Sequence, residues 1–295
     1  MSSPYFTIPE FEYVKPSTIE EAVKLLDEHG EEAKILAGGV GLINFMKERL
    51  LSPAYVIDIK GIPELKRLEY VPNEGLYIGA AVTFRELEEF LKKDEGLAEK
   101  YRALAEAIPR MSDAVIRNRS TLVGNICEAI PYMDGYTPLM IYDAKLHVVS
   151  VNGERLIMIR EFLKGFAETE LKENEMVKYI FVPEPPAGSV SGFEKYTSHS
   201  EYSVISISML LKWDGERNVR IAYGALSEVP VMLEEAKEIF SRTGNVQQAL
   251  DQVVQLALDR IEFMSDLYSS ADYRKHLTDV LTRKLFVRLF KEVKA

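Results

Sequence analysis

The chain has 295 residues, 47% of them hydrophobic and 28% charged, and a formal net charge of −10. This length suggests two or three domains with ample core material, and the acidic balance argues against nucleic acid, because counterion release rewards basic surfaces. Cys127 is the only cysteine, and His29, His147, His199 and His276 are scattered, which excludes an internal disulfide framework and a self-contained iron–sulfur cluster and predicts no metal site.

In chain order, residues 17–30 read as an amphipathic helix, with Ser17 and Glu20 as a capping box, Ile19, Ala22, Val23 and Leu26 on one face, and Gly30 as its stop. An apolar strand over 34–37 breaks into Gly38-Gly39-Val40-Gly41 and passes into a helix over 42–51, stopped by Pro53. A second strand over 55–59 completes a small α/β unit with a boundary near Lys60.

Residues 67–81 predict two strands around Pro72-Asn73-Glu74-Gly75. Thr83 and Glu86 then cap a helix ending near Lys93, and a further helix is expected over 97–108. The stretch 111–134 is polar, turn-rich and without period although it lies inside a domain, where a long irregular segment is usually functional. A hairpin over Asn152-Gly153 pairs 144–151 with 155–159, and 176–182 supplies another strand. Pro183-Glu184-Pro185-Pro186-Ala187-Gly188 propagates neither helix nor sheet and marks a second boundary. Beyond it, strands are expected at 192–197, 203–213 and 218–226, with Asp214-Gly215 as a turn signal, followed by helices over 232–243, 246–264 and 271–293. No run approaches about 18 apolar residues, and the first residues have neither a basic nor an apolar leader pattern, so the chain reads as cytoplasmic and without a membrane span.

Two glycine-containing turns, 38–41 and 124–125, each follow a short β-like stretch, and glycine lets successive backbone N–H groups approach an anion such as phosphate. Glycine turns are common and the first is neither a dinucleotide fingerprint nor a Walker A loop, so spacing alone leaves an ordinary tight turn open for each. Their surroundings are more specific. Ile35-Leu36-Ala37-Gly38-Gly39-Val40-Gly41-Leu42, followed by Met46-Lys47, resembles the first flavin-binding loop of the xanthine dehydrogenase family's FAD domain. Ile116-Arg117-Asn118, Thr121-Leu122-Val123-Gly124-Asn125, Ile130-Pro131 and Asp134 resemble its second loop in the same order and spacing. The likeness continues through Lys195-Tyr196, Arg220-Ile221-Ala222-Tyr223-Gly224-Ala225 and Tyr273-Arg274-Lys275-His276-Leu277, and so spans nearly the whole chain. The sequence is thus similar to the FAD-binding medium subunits of molybdenum hydroxylases, the xanthine dehydrogenase and carbon monoxide dehydrogenase family.

The resemblance implies an α+β fold. A two-part α/β FAD-binding domain of the vanillyl-alcohol-oxidase, PCMH-like type would occupy 1–60 and 61–182, and an antiparallel sheet with a three-helix bundle would occupy 188–295. FAD would lie between the first two parts, its diphosphate and ribityl chain wrapped by Ile35, Leu36, Ala37, Gly38, Gly39, Val40, Gly41 and Leu42 and contacted by Ser120, Thr121, Gly124 and Asn125. Met111, Ser112 and Ile116 would line the cavity ahead of this loop. Cys127, Glu128, Met133 and Asp134 would stand at the adenosine side, with Asp134 accepting from ribose hydroxyls. Met176 and Val177 would cover the adenine, and Lys195 would place a cation near the flavin ring. No catalytic residue is expected in this chain.

The partners implied are a large molybdopterin-binding subunit and a small [2Fe-2S] subunit, in a heterotrimer or a dimer of heterotrimers. The chain would take electrons singly from a cluster and deliver them to an external acceptor, and its single cysteine excludes the cluster-bearing hydroxybenzoyl-CoA reductase branch. A flavin-free structural subunit of the same complex and a stand-alone flavin oxidoreductase are the alternatives. Three positions depart from the family pattern: Val123 stands where glycine is common, and Val40 and Gly41 stand where polar residues are frequent. A valine takes positive φ only at a cost and narrows the room for a diphosphate, so FAD is expected to bind more weakly than in relatives with two glycines.

Overall fold

The computed structural model describes residues 7–198, 202–214 and 217–293; His199 and the turn residue Gly215 lie outside the described residues. Strands β1 (Glu12–Val14), β2 (Ala33–Leu36) and β3 (Tyr55–Asp58) form a parallel sheet in the order β1-β3-β2. Between the first two strands runs α1 (Ile19–His29), which buries Ile19, Ala22, Val23 and Leu26 as its period demands. Its cap sits one residue later than expected. Thr18 has the extended N-cap backbone and accepts from the Glu21 N–H at 3.2 Å, and Glu21 reaches back to the Ser17 N–H at 2.7 Å.

The second sheet has the order β4-β5-β10-β6-β7, with antiparallel neighbours throughout. It comprises β4 (Leu68–Val71), β5 (Gly75–Gly79), β6 (Lys145–Ser150), β7 (Gly153–Met158) and β10 (Met176–Pro183); β8 (Leu163–Gly165) and β9 (Glu168–Thr169) make a separate small hairpin. Asn73, at φ 65°, turns β4 into β5. Helix α2 (Val40–Lys47) belongs to the first sheet's side, and α3 (Phe84–Lys92) opens on the full Thr83–Glu86 capping box. The single helix expected over 97–108 is two, α4 (Glu95–Lys100) and α5 (Arg102–Ala107). Tyr101 breaks it at ψ 38°, where its wholly buried ring sends the hydroxyl to the Val182 carbonyl at 3.3 Å. The irregular stretch holds two short helices, α6 (Ala114–Arg117) and α7 (Leu122–Cys127), and is followed by α8 (Tyr136–Ile141) and α9 (Ile159–Phe162).

The third sheet, β11 (Val190–Tyr196), β12 (Ile205–Lys212), β13 (Asn218–Gly224) and β14 (Val231–Met232), is antiparallel in chain order. Met232 therefore pairs in a sheet and does not open the next helix. On one face, Ile207, Met209 and Leu211 join the core made with α10 (Ala236–Arg242), α11 (Val246–Arg260) and α12 (Ala271–Glu292). On the other, Leu210 joins the core of the first two sheets, and Ser208 donates to Thr137 on the wholly buried α8 at 3.0 Å. Because both faces of β12 are buried, its alternation Ile205-Ser206-Ile207-Ser208 places small buried serines, not exposed polar side chains, on the second face. In α12, Arg274 is fully buried and satisfied by Asp266 at 2.8 Å and by the carbonyls of Val204, Met264 and Ser269, which locks the connection from α11 onto the sheet.

Candidate functional site

Two chain segments far apart in sequence meet at Gly38, as the arrangement of its backbone shows: a Cβ there would lie 2.8 Å from Ser120 Cα and 2.9 Å from the Arg119 carbonyl carbon. No side chain fits, so this glycine is required by close approach and not by its own φ. Gly39 is the one with positive φ, 78°, and caps α2, which therefore begins at Val40, two residues earlier than expected. Val40, Gly41 and Leu42 form a first helical turn, with the Val40 and Leu42 side chains half-buried. The second segment is tied down from α3 as well, since Thr83 and Thr121 form a bridge and the Phe84 N–H donates to the Ser120 carbonyl at 2.9 Å.

Where these segments meet, a cleft of about 450 Å³ is lined by Ala37, Gly38, Lys60, Lys66, Ala81, Thr83, Arg85, Glu86, Asn118, Arg119 and Thr121. Four cations against one carboxylate give it a positive balance in an acidic protein. Lys60 leans on the buried Asp58 at 2.9 Å. Burial alone would raise the Asp58 carboxyl, but hydrogen bonds from Tyr13 and Lys60 outweigh it and hold the group below the usual carboxylate range. Sequence reasoning missed Lys60, Lys66, Arg85 and Arg119, because surface cations are common and only the fold converges these four.

The second segment is a pair of capped helical turns, not a glycine loop. Asp113 caps α6 by accepting from the Ile116 N–H at 2.8 Å, and Ser120 Oγ donates to the Ile116 carbonyl at 2.9 Å. Ser112, at φ 51°, is held by Arg117 Nη1 at 2.7 Å from its carbonyl, with Met111 buried beside it. Thr121 caps α7 through the Gly124 N–H at 2.9 Å, so Gly124 is helical and its amide is already used. Val123 is helical too and has no positive φ; its side chain, 5% exposed, belongs to the core. The steric premise for weak FAD binding therefore does not hold at this residue. Asn125 accepts from the Gly135 N–H at 3.2 Å and donates to the Met133 sulfur at 2.8 Å, which joins the two ends of the segment. Burial pushes the Cys127 thiol up to about 12, so it is a thiol at neutral pH. Met176 and Val177 on β10 are core residues, each 3% exposed.

Two family models match the chain. One, described as the FAD binding domain in molybdopterin dehydrogenase, covers residues 9–185; the other, the CO dehydrogenase flavoprotein C-terminal domain, covers 196–289. The chain belongs to the FAD-binding subunits of the molybdenum hydroxylases. It is 29% identical to the carbon monoxide dehydrogenase medium chain of Afipia carboxidovorans, over 94% of this chain and 96% of that one. Identity to the xanthine dehydrogenase FAD-binding subunit of Escherichia coli O157:H7 is 28%, over 92% and 94%. Carbon monoxide dehydrogenase from Hydrogenophaga pseudoflava superposes with a TM-score of 0.89 at 27% identity, covering 97% of this chain and 99% of that one. FAD is thus the cofactor, and the chain is an oxidoreductase subunit with the predicted α+β fold. The residues present fit that cofactor: the cation-lined cleft suits a dinucleotide carrying a diphosphate, and the Gly38 contact leaves backbone, not side chains, at its wall.

Two expected contacts turn out to be one. Lys195 donates to Asp134 at 2.7 Å and to the Arg110 carbonyl at 3.0 Å, and Ser203 donates to the other Asp134 oxygen at 2.6 Å. Both side chains of the ion pair are nearly sealed, 9% and 6% exposed. Burial raises the Asp134 carboxyl even though Lys195 and its hydroxyl partners oppose the shift. The resemblance put Asp134 at the adenosine ribose and Lys195 at the flavin ring; in the structure the two side chains bind each other.

Proposed function

We propose that this chain is the electron-transfer subunit of its complex. It would work with a large molybdopterin-binding subunit and a small [2Fe-2S] subunit, as a heterotrimer or dimer of heterotrimers in the cytoplasm. FAD, when bound, supplies a carrier that accepts electrons one at a time and releases two together. The observation that carries this reading is the meeting of the two segments at Gly38 beside a cleft with four cations.

In this reading residues 1–60 and 61–182 are the two halves that grip FAD, and 188–295 braces them. The N–H groups at the start of α2, with Gly38 to Leu42, bind the diphosphate, helped by Ser120, Thr121 and the cleft's lysines and arginines. Ile35, Leu36, Met111, Ser112 and Ile116 exclude water along the adjoining wall. Asn125 and Met133 act by holding the second segment in shape. Lys195 and Asp134 act as one tie between β11 and the turn before α8.

Denaturing the protein and separating its flavin chromatographically is expected to release FAD, because the two segments and the cleft together are long enough for a dinucleotide; recovery of FMN alone would overturn this. The isolated chain is also expected to be reducible at its flavin yet to oxidise no organic substrate, since one cysteine cannot hold a cluster to relay electrons. Substrate turnover without partner subunits would refute the electron-transfer role.

A further inference from the structure

The notable feature of the first helical turn of α2 is what fills the space beside Gly41. A Cβ built there would lie 2.5 Å from the Glu128 carboxyl carbon and 2.6 and 2.9 Å from its two oxygens. Glu128 comes from the other segment, at the C-terminal end of α7, where its N–H caps the helix on the Gly124 carbonyl at 3.0 Å. The following residue, Ala129, is held at φ 56° and accepts from the Ala167 N–H at 2.8 Å, which aims Glu128 across the gap. Among the described residues no side-chain hydrogen bond or ion pair holds this carboxyl, and burial raises it above the ordinary glutamate range. A carboxylate accepts and does not donate, so a ligand group that pairs with it there must be a donor. A phosphate, itself an acceptor, is the wrong chemistry; a hydroxyl is the right one.

We propose that Glu128 reaches from the second segment into the place a residue-41 side chain would occupy, and there accepts a hydrogen bond from a sugar hydroxyl of FAD. Gly41 and Glu128 are then a matched pair: the glycine is bare so that the carboxylate can stand beside it. The inference rests on FAD binding between the two segments.

A double-mutant cycle on the full chain tests it, with FAD titrated into apo-protein and followed by flavin fluorescence. Glu128→Ala is expected to weaken FAD binding about tenfold, the loss of one charge-assisted hydrogen bond. Gly41→Ala is expected to weaken it comparably by displacing the carboxylate, which is the flexible end of its side chain, so that the fold survives. In the Glu128→Ala background Gly41→Ala should then have no further effect, and this non-additivity is the signature of the pair. Titrating FMN and ADP-ribose identifies the hydroxyl: weakened FMN binding assigns the ribityl chain, weakened ADP-ribose binding the ribose. Unchanged or tighter FAD binding by Glu128→Ala, or additive effects of the two substitutions, would overturn the proposal while leaving FAD binding itself intact. A natural protein that binds no FAD would overturn both.

Discussion

Lys195→Met is expected to lower the unfolding free energy by about 3 to 5 kcal/mol, because it leaves Asp134 buried without its counter-charge and the Arg110 carbonyl without a donor. Urea unfolding followed by circular dichroism measures this. A second variant separates the lost charge pair from lost packing: Lys195→Met combined with Asp134→Asn should recover most of the stability, since a neutral amide still accepts from Ser203 and needs no cation. If the single variant is as stable as the natural protein, the ion pair does not tie β11 to the turn before α8. The same variant also reports which end of the dinucleotide lies nearby. Removing a cation beside the flavin ring destabilises its reduced, negatively charged form, so a lowered midpoint potential would place the ring against Lys195. An unchanged potential would place it elsewhere.

Val123→Gly is expected to cost about 2 to 4 kcal/mol, from the lost burial of a core side chain and the poor helix propensity of glycine. The loop reading of the sequence expects a different outcome, a gain of about tenfold in FAD affinity as a glycine restores room for the diphosphate. The structure removes the reason for that gain. The valine side chain points into the core and its backbone is ordinary α-helix, so a glycine there frees no space at the cleft. Chemical denaturation and FAD titration of the same two proteins decide the matter: loss of stability without tighter binding is the expected pair of results. A tenfold tighter FAD complex would mean that the segment opens on binding and that Val123 lies against the cofactor.

What the sequence determined by itself was local or compositional. The order of strands and helices follows from hydrophobic period and from glycine and proline punctuation, which act over a few residues, so the β4–β5 turn, the Thr83 cap and the C-terminal helices α10, α11 and α12 were legible. One cysteine in 295 residues already excluded an internal cluster. The two segments around Gly38 and Thr121, in their order along the chain, were enough to reach the family. Tertiary structure decided everything that depends on which way a residue faces and what it meets. Whether Val123 turns to the core or to the cleft depends on α7 being a capped helix packed on its neighbours, and a glycine-rich stretch alone does not say so. Lys195 and Asp134, 61 residues apart, each looked like a separate contact until β11 and the α8 turn brought them within 2.7 Å. Gly41 looked like a departure from pattern until Glu128 filled its place. Local propensity carries no information about such meetings, because their geometry is set by how whole sheets and helices pack.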